Sequence, residues 1–126
     1  MRELMFRGKT TRDQRWIISD TIVQFASGEV CLYDELKDIE VDVDPETVGQ
    51  YTGLTDKNCK NIFEGDIVDV AYDINYVGVA AERIGAFEVV FDDGCFMKRN
   101  ERGLFHFIPS DVCTIIGNIH DNGDLL

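Results

Sequence analysis

The chain has 126 residues, the size of one domain that buries roughly two-thirds of the surface exposed by its unfolded form. Its hydrophobic fraction of 44% and charged fraction of 29% are ordinary for a soluble globular protein and argue against long disordered segments. Asp and Glu total 24 against 12 Lys and Arg, and this net charge of -12 repels phosphate backbones, so sequence-independent nucleic-acid binding is not expected.

The charge is unevenly distributed along the chain. Residues 1–18 have a net charge of +3, and the remaining residues have a net charge of -15. The basic side chains of the N-terminal stretch are Arg2, Arg7, Lys9, Arg12 and Arg15. The most acidic stretch, residues 34–46, has seven carboxylates offset by Lys37 alone. A well-solvated surface is the simplest interpretation of this imbalance, and association through complementary fields is the more specific one.

Short runs of β-branched and aromatic residues, separated by turn signals, dominate the first half of the chain. They predict strands at residues 15–18, 21–25, 30–33, 39–44 and 51–54. In the fourth strand, alternation with a period of two places the apolar side chains on one face and three carboxylates on the other. These carboxylates are Glu40, Asp42 and Asp44. The Asp44-Pro45 sequence then predicts a capped turn or a single helical turn.

The acidic strand does not have the residue spacing of a calcium-binding loop. An EF-hand loop needs Gly at its sixth position and Glu at its twelfth. A loop that starts at Glu40 or at Asp42 meets neither requirement. The carboxylates are therefore expected to form a solvated face, and no metal site is predicted.

The second half of the chain has the same pattern. It predicts strands at residues 60–63, 67–72, 87–91, 95–98, 104–108 and 113–119. Gly65 is expected at a sharp bend with positive φ, beside carboxylates that cap backbone amides. Asp93-Gly94 predicts a two-residue hairpin turn. Many short strands at close spacing are typical of a small barrel or sandwich.

Isolated reactive side chains do not form a recognisable catalytic motif. Cys31, Cys59, Cys95 and Cys113 are widely spaced without a C-x-x-C pair, so thiols in a reducing cytosol are predicted rather than a zinc site. His106 is expected to face solvent, and neither His106 nor His120 belongs to a recognisable metal-binding or catalytic motif. No cofactor is expected. The N-terminus is polar and basic, so neither a signal peptide nor a membrane association is predicted.

Three blocks in order along the chain are more specific than any single motif. They are MRELMFRGK with Trp16 and Asp20, the stretch VDPETVGQYTGLTDKNCKNIFEGDIV at residues 43–68, and IGNIHDN with Leu125 and Leu126. Together they resemble the YopX-like proteins of prophages and other mobile elements of bacteria. Cys59 departs from the glycine usual at its position in this family, and Asn122-Gly123-Asp124 departs from an asparagine-proline ending. Residues 69–86 match no part of the pattern and are expected to form a variable loop.

The resemblance implies a mainly β fold with little helix, in which an SH3-like small barrel follows an N-terminal β subdomain. We expect a single domain over residues 1–126, with the subdomain at approximately 1–58 and the barrel at 59–126. The resemblance also implies a phage or prophage origin, and hence the cytoplasm of a bacterial host cell. It supplies no catalytic residues.

The expected function is that of a non-enzymatic accessory protein that acts by protein–protein interaction. Its partner is unidentified, self-association into a homo-oligomer is one option, and direct nucleic-acid binding is not expected. The candidate interaction surface consists of Arg2, Arg7, Lys9, Arg12, Arg15, Glu40, Asp42 and Asp44. The alternatives are an acidic DNA mimic that occupies a nucleic-acid-binding protein, and a nucleic-acid-binding barrel that uses the basic N-terminus. An enzyme ranks fourth.

Overall fold

The computed structural model describes residues 4–71, 84–105, 108 and 112–126. Within these residues the chain is mainly β with little helix, as the sequence predicts, and its strands form antiparallel sheets. The chain divides into two compact units, which we call unit 1 (Met1–Gly53) and unit 2 (Leu54–Leu126). Each unit is described by itself.

Unit 1 is built from short antiparallel strands. They are β1 (Phe6–Lys9), β2 (Trp16–Ser19), β3 (Ile22–Gln24), β4 (Val30–Asp34), β5 (Ile39–Val43) and β6 (Gly49–Thr55), the last of which continues past the unit boundary. A 3-10 turn at Pro45–Thr47 precedes β6. The strands form one sheet with the order β2-β1-β6 and a second with the order β3-β4-β5.

The core of unit 1 lies among inward-facing residues of these strands. Leu32 and Val43 are buried there, and Phe6 and Ile17 pack against them. At Gly8 on β1, a Cβ atom would lie 3.1 Å from the Cβ of Val43, so the strand approaches the core more closely than a larger residue allows. Because strand residues alternate, the neighbours of Gly8 on β1 point to the opposite face of the sheet.

Unit 2 continues the antiparallel pattern. Its strands are β7 (Asn61–Phe63), β8 (Asp66–Val70), β9 (Gly85–Asp92), β10 (Cys95–Asn100), β11 (Gly103–Phe105) and β12 (Cys113–Asn118). A five-stranded sheet has the order β11-β10-β9-β8-β12. A short helix, α1 (Ile119–Asn122), and a 3-10 turn at Gly123–Leu125 follow β12.

The described core of unit 2 is apolar and includes the buried side chain of Lys98. Its centre includes Phe87 and Val89, which are fully buried. Lys98 is also fully buried, with its Nζ 5.3 Å from the centroid of the Phe87 ring and 5.5 Å from that of Phe105. The faces of these rings attract a cation and thereby offset part of the cost of burying the ammonium group.

Several turns match the sequence predictions. Gly65 has a φ of 92°, and Oδ2 of Asp66 accepts a hydrogen bond from the Phe63 amide at 2.8 Å, as a capping carboxylate does. Asp93 and Gly94 both have positive φ between β9 and β10, which is the conformation of a type I′ hairpin turn.

Other boundaries differ from the predictions. The last predicted strand ends at Asn118 rather than Ile119, because Oδ1 of Asn118 accepts hydrogen bonds from the amides of His120 and Asp121 and so begins α1. Of the segment predicted to be a variable loop, residues 69–70 belong to β8 and residues 85–86 to β9. Residues 72–83 of that loop, and His106 in the predicted strand at 104–108, lie outside the described residues.

In the part of the chain that the structure describes, no helix is long and apolar enough to cross a membrane.

Candidate functional site

The outer face of the β1-β2 hairpin in unit 1 combines cations with apolar side chains. Arg7 and Lys9 are two residues apart on β1, and the antiparallel register places Ile18 opposite Arg7 and Trp16 opposite Lys9. The Cζ atom of Arg7 lies 4.9 Å from the centroid of the Trp16 ring, and Nζ of Lys9 lies 5.9 Å from it. We call these four residues the cation–tryptophan face.

Strand alternation explains how this face forms. Gly8 and Ile17 point toward the core of unit 1, so the flanking residues on each strand point the other way. Ile18 is 57% exposed although it is a large apolar residue, and Trp16 is half-buried. An exposed isoleucine beside an indole ring and a guanidinium group has the composition found at the centre of protein–protein interfaces.

A tight turn between β1 and β2 holds the next two basic residues of the predicted surface. Thr10 Oγ1 donates to Asp13 Oδ1 and accepts a hydrogen bond from the Arg15 amide at 2.9 Å. The hydrogen bond from Thr10 lowers the pKa of Asp13, with a smaller contribution in the same direction from Arg15. Nε of Arg15 lies 3.5 Å from Oδ2 of Asp13. These hydrogen bonds hold the backbone of the turn and thereby the positions from which the side chains of Arg12 and Arg15 project.

This turn lies against the acidic strand β5. The amide of Thr11 donates to the Asp42 carbonyl at 3.1 Å, and a cavity of about 280 Å³ separates the turn from the strand. Both basic and acidic side chains line the cavity, namely Arg12, Asp13, Arg15, Lys37, Glu40 and Asp42. The three cations and three carboxylates balance in formal charge. The basic turn and the acidic strand are therefore neighbours within one chain.

Asp42 also has a structural contact. The thiol of Cys31, which is buried opposite Asp42 on β4, donates to Oδ1 of Asp42 at 3.0 Å. This hydrogen bond to the carboxylate, together with burial, raises the pKa of Cys31 to about 11. The Cys31 thiol is consequently protonated at neutral pH and is a poor nucleophile.

The structure separates the remaining predicted site residues. Asp44 caps the 3-10 turn, since its Oδ1 accepts a hydrogen bond from the Glu46 amide at 3.1 Å. Arg2 lies outside the described residues. The predicted surface is thus divided between the cation–tryptophan face, with Arg7 and Lys9, and the cavity, with Arg12, Arg15, Glu40 and Asp42.

The sequence did not identify Trp16 and Ile18 as part of a site. Both residues lie in the strand predicted at residues 15–18, and neither belongs to the predicted interaction surface. The β1-β2 register was the missing signal, because it places both opposite cations that were already candidates. Once the hairpin turn is centred on residues 12–13, the same pairing follows from counting outward along the two strands.

Other places where a function could reside among the described residues are a metal site, a second groove and disulfides. Among the described residues, no group of three or more His, Cys, Asp or Glu side chains is arranged to hold a metal ion. In unit 2, a groove of about 450 Å³ runs along the ends of β9 and β10. Its floor includes an ion pair between Arg99 Nη2 and Glu88 Oε1 at 2.8 Å. None of the four cysteines forms a disulfide.

Comparison with known proteins agrees with this architecture. The profile of the YopX protein family matches residues 5–126. The chain belongs to the YopX protein family. Protein EF1440 from Enterococcus faecalis, known from a crystal structure, is 22% identical, with a TM-score of 0.60 over 100% of this chain and 99% of that one. This likeness shows the fold alone. Comparison of the YopX chain with curated proteins gives no match.

Proposed function

We propose that this YopX family chain is a non-enzymatic accessory protein of a bacteriophage, prophage or other mobile element, and that it acts by binding a protein partner. The observation that supports this proposal is the cation–tryptophan face, where Ile18 is exposed beside Trp16, Arg7 and Lys9. The mobile-element setting is what the family resemblance implies, and a bacterial cytoplasm is the compartment that goes with it.

The chemistry of the face suggests what it binds. Trp and Arg are the residue types that contribute most to binding when a partner removes them from water. Acidic groups on the partner would complement the two cations, and complementary charges steer association. The partner surface is therefore expected to have an apolar residue that covers Ile18, with acidic groups beside it.

Affinity purification from a host that carries the element tests this proposal. The tagged wild-type chain is compared with Ile18→Glu, which places a carboxylate on the face opposite Arg7. Ile116→Glu is the matched control, since Ile116 is also a strand isoleucine and is 42% exposed. We expect a partner at near-equal amount with the wild type and with Ile116→Glu, and its loss with Ile18→Glu. Equal recovery with all three chains would contradict the proposal.

The DNA-mimic alternative has weaker geometric support. A DNA mimic presents negative charges to a basic partner, whereas several carboxylates of residues 34–46 accept local hydrogen bonds. Oδ1 of Asp34 accepts from the Leu36 amide at 3.0 Å, and Asp38 accepts from the Tyr33 hydroxyl. Arg12 and Lys37 also line the cavity beside Glu40. Salt-sensitive recovery of a DNA-binding protein by the wild type and by Ile18→Glu alike would favour this alternative over our proposal.

A nucleic-acid-binding barrel would need its basic side chains on one track. Here Arg7 and Lys9 lie over the Trp16 ring, whereas Arg12 and Arg15 lie beside carboxylates. Sequence-independent binding depends on phosphate contacts that release counterions. A gel-shift assay at low salt is therefore expected to show no binding, and a shift abolished by Arg7→Ala would support this alternative.

A further inference from the structure

The strand β3 forms an edge of the sheet β3-β4-β5 in unit 1. The amide of Phe25 donates to the Glu29 carbonyl at 2.8 Å, and the amide of Tyr33 donates to the Thr21 carbonyl at 3.2 Å. In an antiparallel pair, residues that face the partner strand alternate with residues that face away. Thr21, Val23 and Phe25 therefore direct their backbone groups toward β4, and the residues between them direct theirs outward.

The two residues whose backbone N–H and C=O groups point away from β4 are Ile22 and Gln24. They are paired with Leu32 and Val30 of β4 in register, but at positions without ladder hydrogen bonds. Among the residues that the structure describes, no strand pairs with the outer side of β3. Its outer N–H and C=O groups thus form a template for another strand.

The composition of this edge is unusual for an exposed strand. Residues 21–25 read TIVQF, with no charge, glycine or proline, in a chain whose net charge is -12. Native edge strands are commonly protected by a short length, a charged residue, a proline or a bulge, and β3 is short but has none of the other three. Phe25 directly follows the strand and is 44% exposed, and Gln24 is exposed beside it. The edge therefore has the properties of a pairing surface.

We propose that β3 pairs antiparallel with β3 of a second copy of the chain, which gives a dimer with a two-fold axis at Val23. This register places Ile22 opposite Gln24 of the second copy in a hydrogen-bonded pair. The two-fold axis generates the same pair a second time, with Gln24 opposite Ile22 of the second copy. Thr21 lies opposite Phe25 of the second copy, so the whole uncharged segment is used. A two-fold axis at Ile22 or at Gln24 would pair fewer residues of the segment 21–25. The two sheets then form one continuous six-stranded sheet.

A second copy fits this edge better than an unrelated strand for two reasons. The segment is self-complementary, because a two-fold axis at Val23 leaves Thr21, Val23 and Phe25 of both copies on the same sheet face. The seam is also uncharged, so two strongly acidic chains meet where neither presents a carboxylate. Their overall repulsion is screened by salt, and the dimer is therefore strengthened as ionic strength rises. Association through complementary charges would be weakened instead.

The proposal is tested by light scattering after size exclusion, which measures the mass of the full chain over a range of concentrations. The wild type is compared with Gln24→Pro. Proline removes an outward N–H that β4 does not use, and edge positions tolerate it. Two intermolecular hydrogen bonds are lost, and the dimer dissociation constant is expected to rise at least about tenfold. Gln24→Thr keeps the N–H and serves as the matched control, with dimerisation close to that of the wild type. Circular dichroism checks that each chain is folded.

Amide hydrogen exchange of the wild-type chain gives a second test that does not depend on any variant. The Ile22 and Gln24 amides should exchange more slowly as concentration and salt rise, whereas the Phe25 amide, bonded within the chain, should not change. A wild-type chain that remains monomeric at all concentrations and salts would overturn the proposal. Dimers that form without protection of Ile22 and Gln24, or that Gln24→Pro leaves unchanged, would overturn it as well.

Discussion

At the scale of single residues, the backbone of Cys59 shows how one departure from the family pattern affects the fold. Cys59 has a φ of 64°, and its amide donates to the Asp56 carbonyl at 3.0 Å, so the turn keeps a left-handed residue without a glycine. Left-handed backbone costs a residue with a Cβ roughly 1–2 kcal/mol. The turn is retained, and the cysteine adds strain to it.

We predict that Cys59→Gly stabilises the chain by about 0.5–1 kcal/mol, since relief of this strain exceeds the entropy that glycine loses on folding. Urea unfolding measures the change. Cys95→Gly is the control, because Cys95 is also exposed but lies in β10 without positive φ. There glycine is expected to destabilise by a similar amount. A loss of stability in Cys59→Gly would contradict this account of the turn.

The buried carboxylate of Asp56 links the stability of the fold to pH. It accepts hydrogen bonds from the amides of Asn58 at 2.9 Å and of Lys60 and Ile115 at 3.0 Å. Burial alone would raise the pKa of Asp56, but these backbone donors outweigh burial and lower it. Because the folded pKa is depressed, the stabilisation is present above the unfolded pKa of about 3.9 and is lost as pH falls through the folded pKa.

Asp56→Asn is therefore expected to cost about 1–3 kcal/mol near neutral pH, since an amide nitrogen would face a backbone donor. Its unfolding free energy should also fall less than that of the wild type as the solution is acidified. Urea unfolding at a series of pH values measures both effects. The exposed Asp69 on β8 provides the control Asp69→Asn. A parallel pH dependence for the wild type and Asp56→Asn would show that another carboxylate governs acid stability.

The thiols provide a prediction about reactivity. Cys59 and Cys95 are exposed, whereas Cys31 and Cys113 are buried. The carboxylate of Asp42 and burial raise the pKa of Cys31 to about 11, so its thiolate is scarce at neutral pH. Alkylation of the folded chain followed by mass spectrometry should modify Cys59 and Cys95 first. Early modification of Cys31 would mean that the β4-β5 pair opens easily.

At the scale of elements, the β9-β10 hairpin depends on two residues with positive φ. Asp93 has a φ of 49° and Gly94 a φ of 79°. Gly94→Ala is expected to lower the unfolding free energy by about 1 kcal/mol, because alanine in this conformation is strained. Gly123→Ala is the control, since Gly123 has a φ of -55° and no atom near an added Cβ. Equal effects of the two substitutions would contradict the assigned turn.

Elements were predictable where the signal is local. The Asp93-Gly94 turn, the bend at Gly65 and the capped turn after Asp44 each follow from the residues within them. The alternation in β5 also gave the correct faces, although Ile39 is 50% exposed because burial decreases toward the hairpin end. The start of α1 was missed because its capping residue, Asn118, ends an otherwise convincing strand pattern.

At the scale of the whole molecule, the candidate site depends on pairings between strands, which composition does not encode. The sequence identified Arg7, Lys9, Arg12 and Arg15 as one basic stretch. The structure divides them, because the first two face Trp16 and the others adjoin β5. The net charge of -12 is a property of the full chain. It does not describe the local field at the cation–tryptophan face, which is where we place partner binding.

In-cell photo-crosslinking tests this central claim most directly. A photoreactive amino acid replaces Ile18 in the host that carries the element, and in a parallel strain it replaces Ile116, which is exposed on another strand. The account predicts that position 18 crosslinks to one discrete protein and that position 116 does not crosslink to that protein. No adduct at position 18, or the same adducts from both positions, would contradict it.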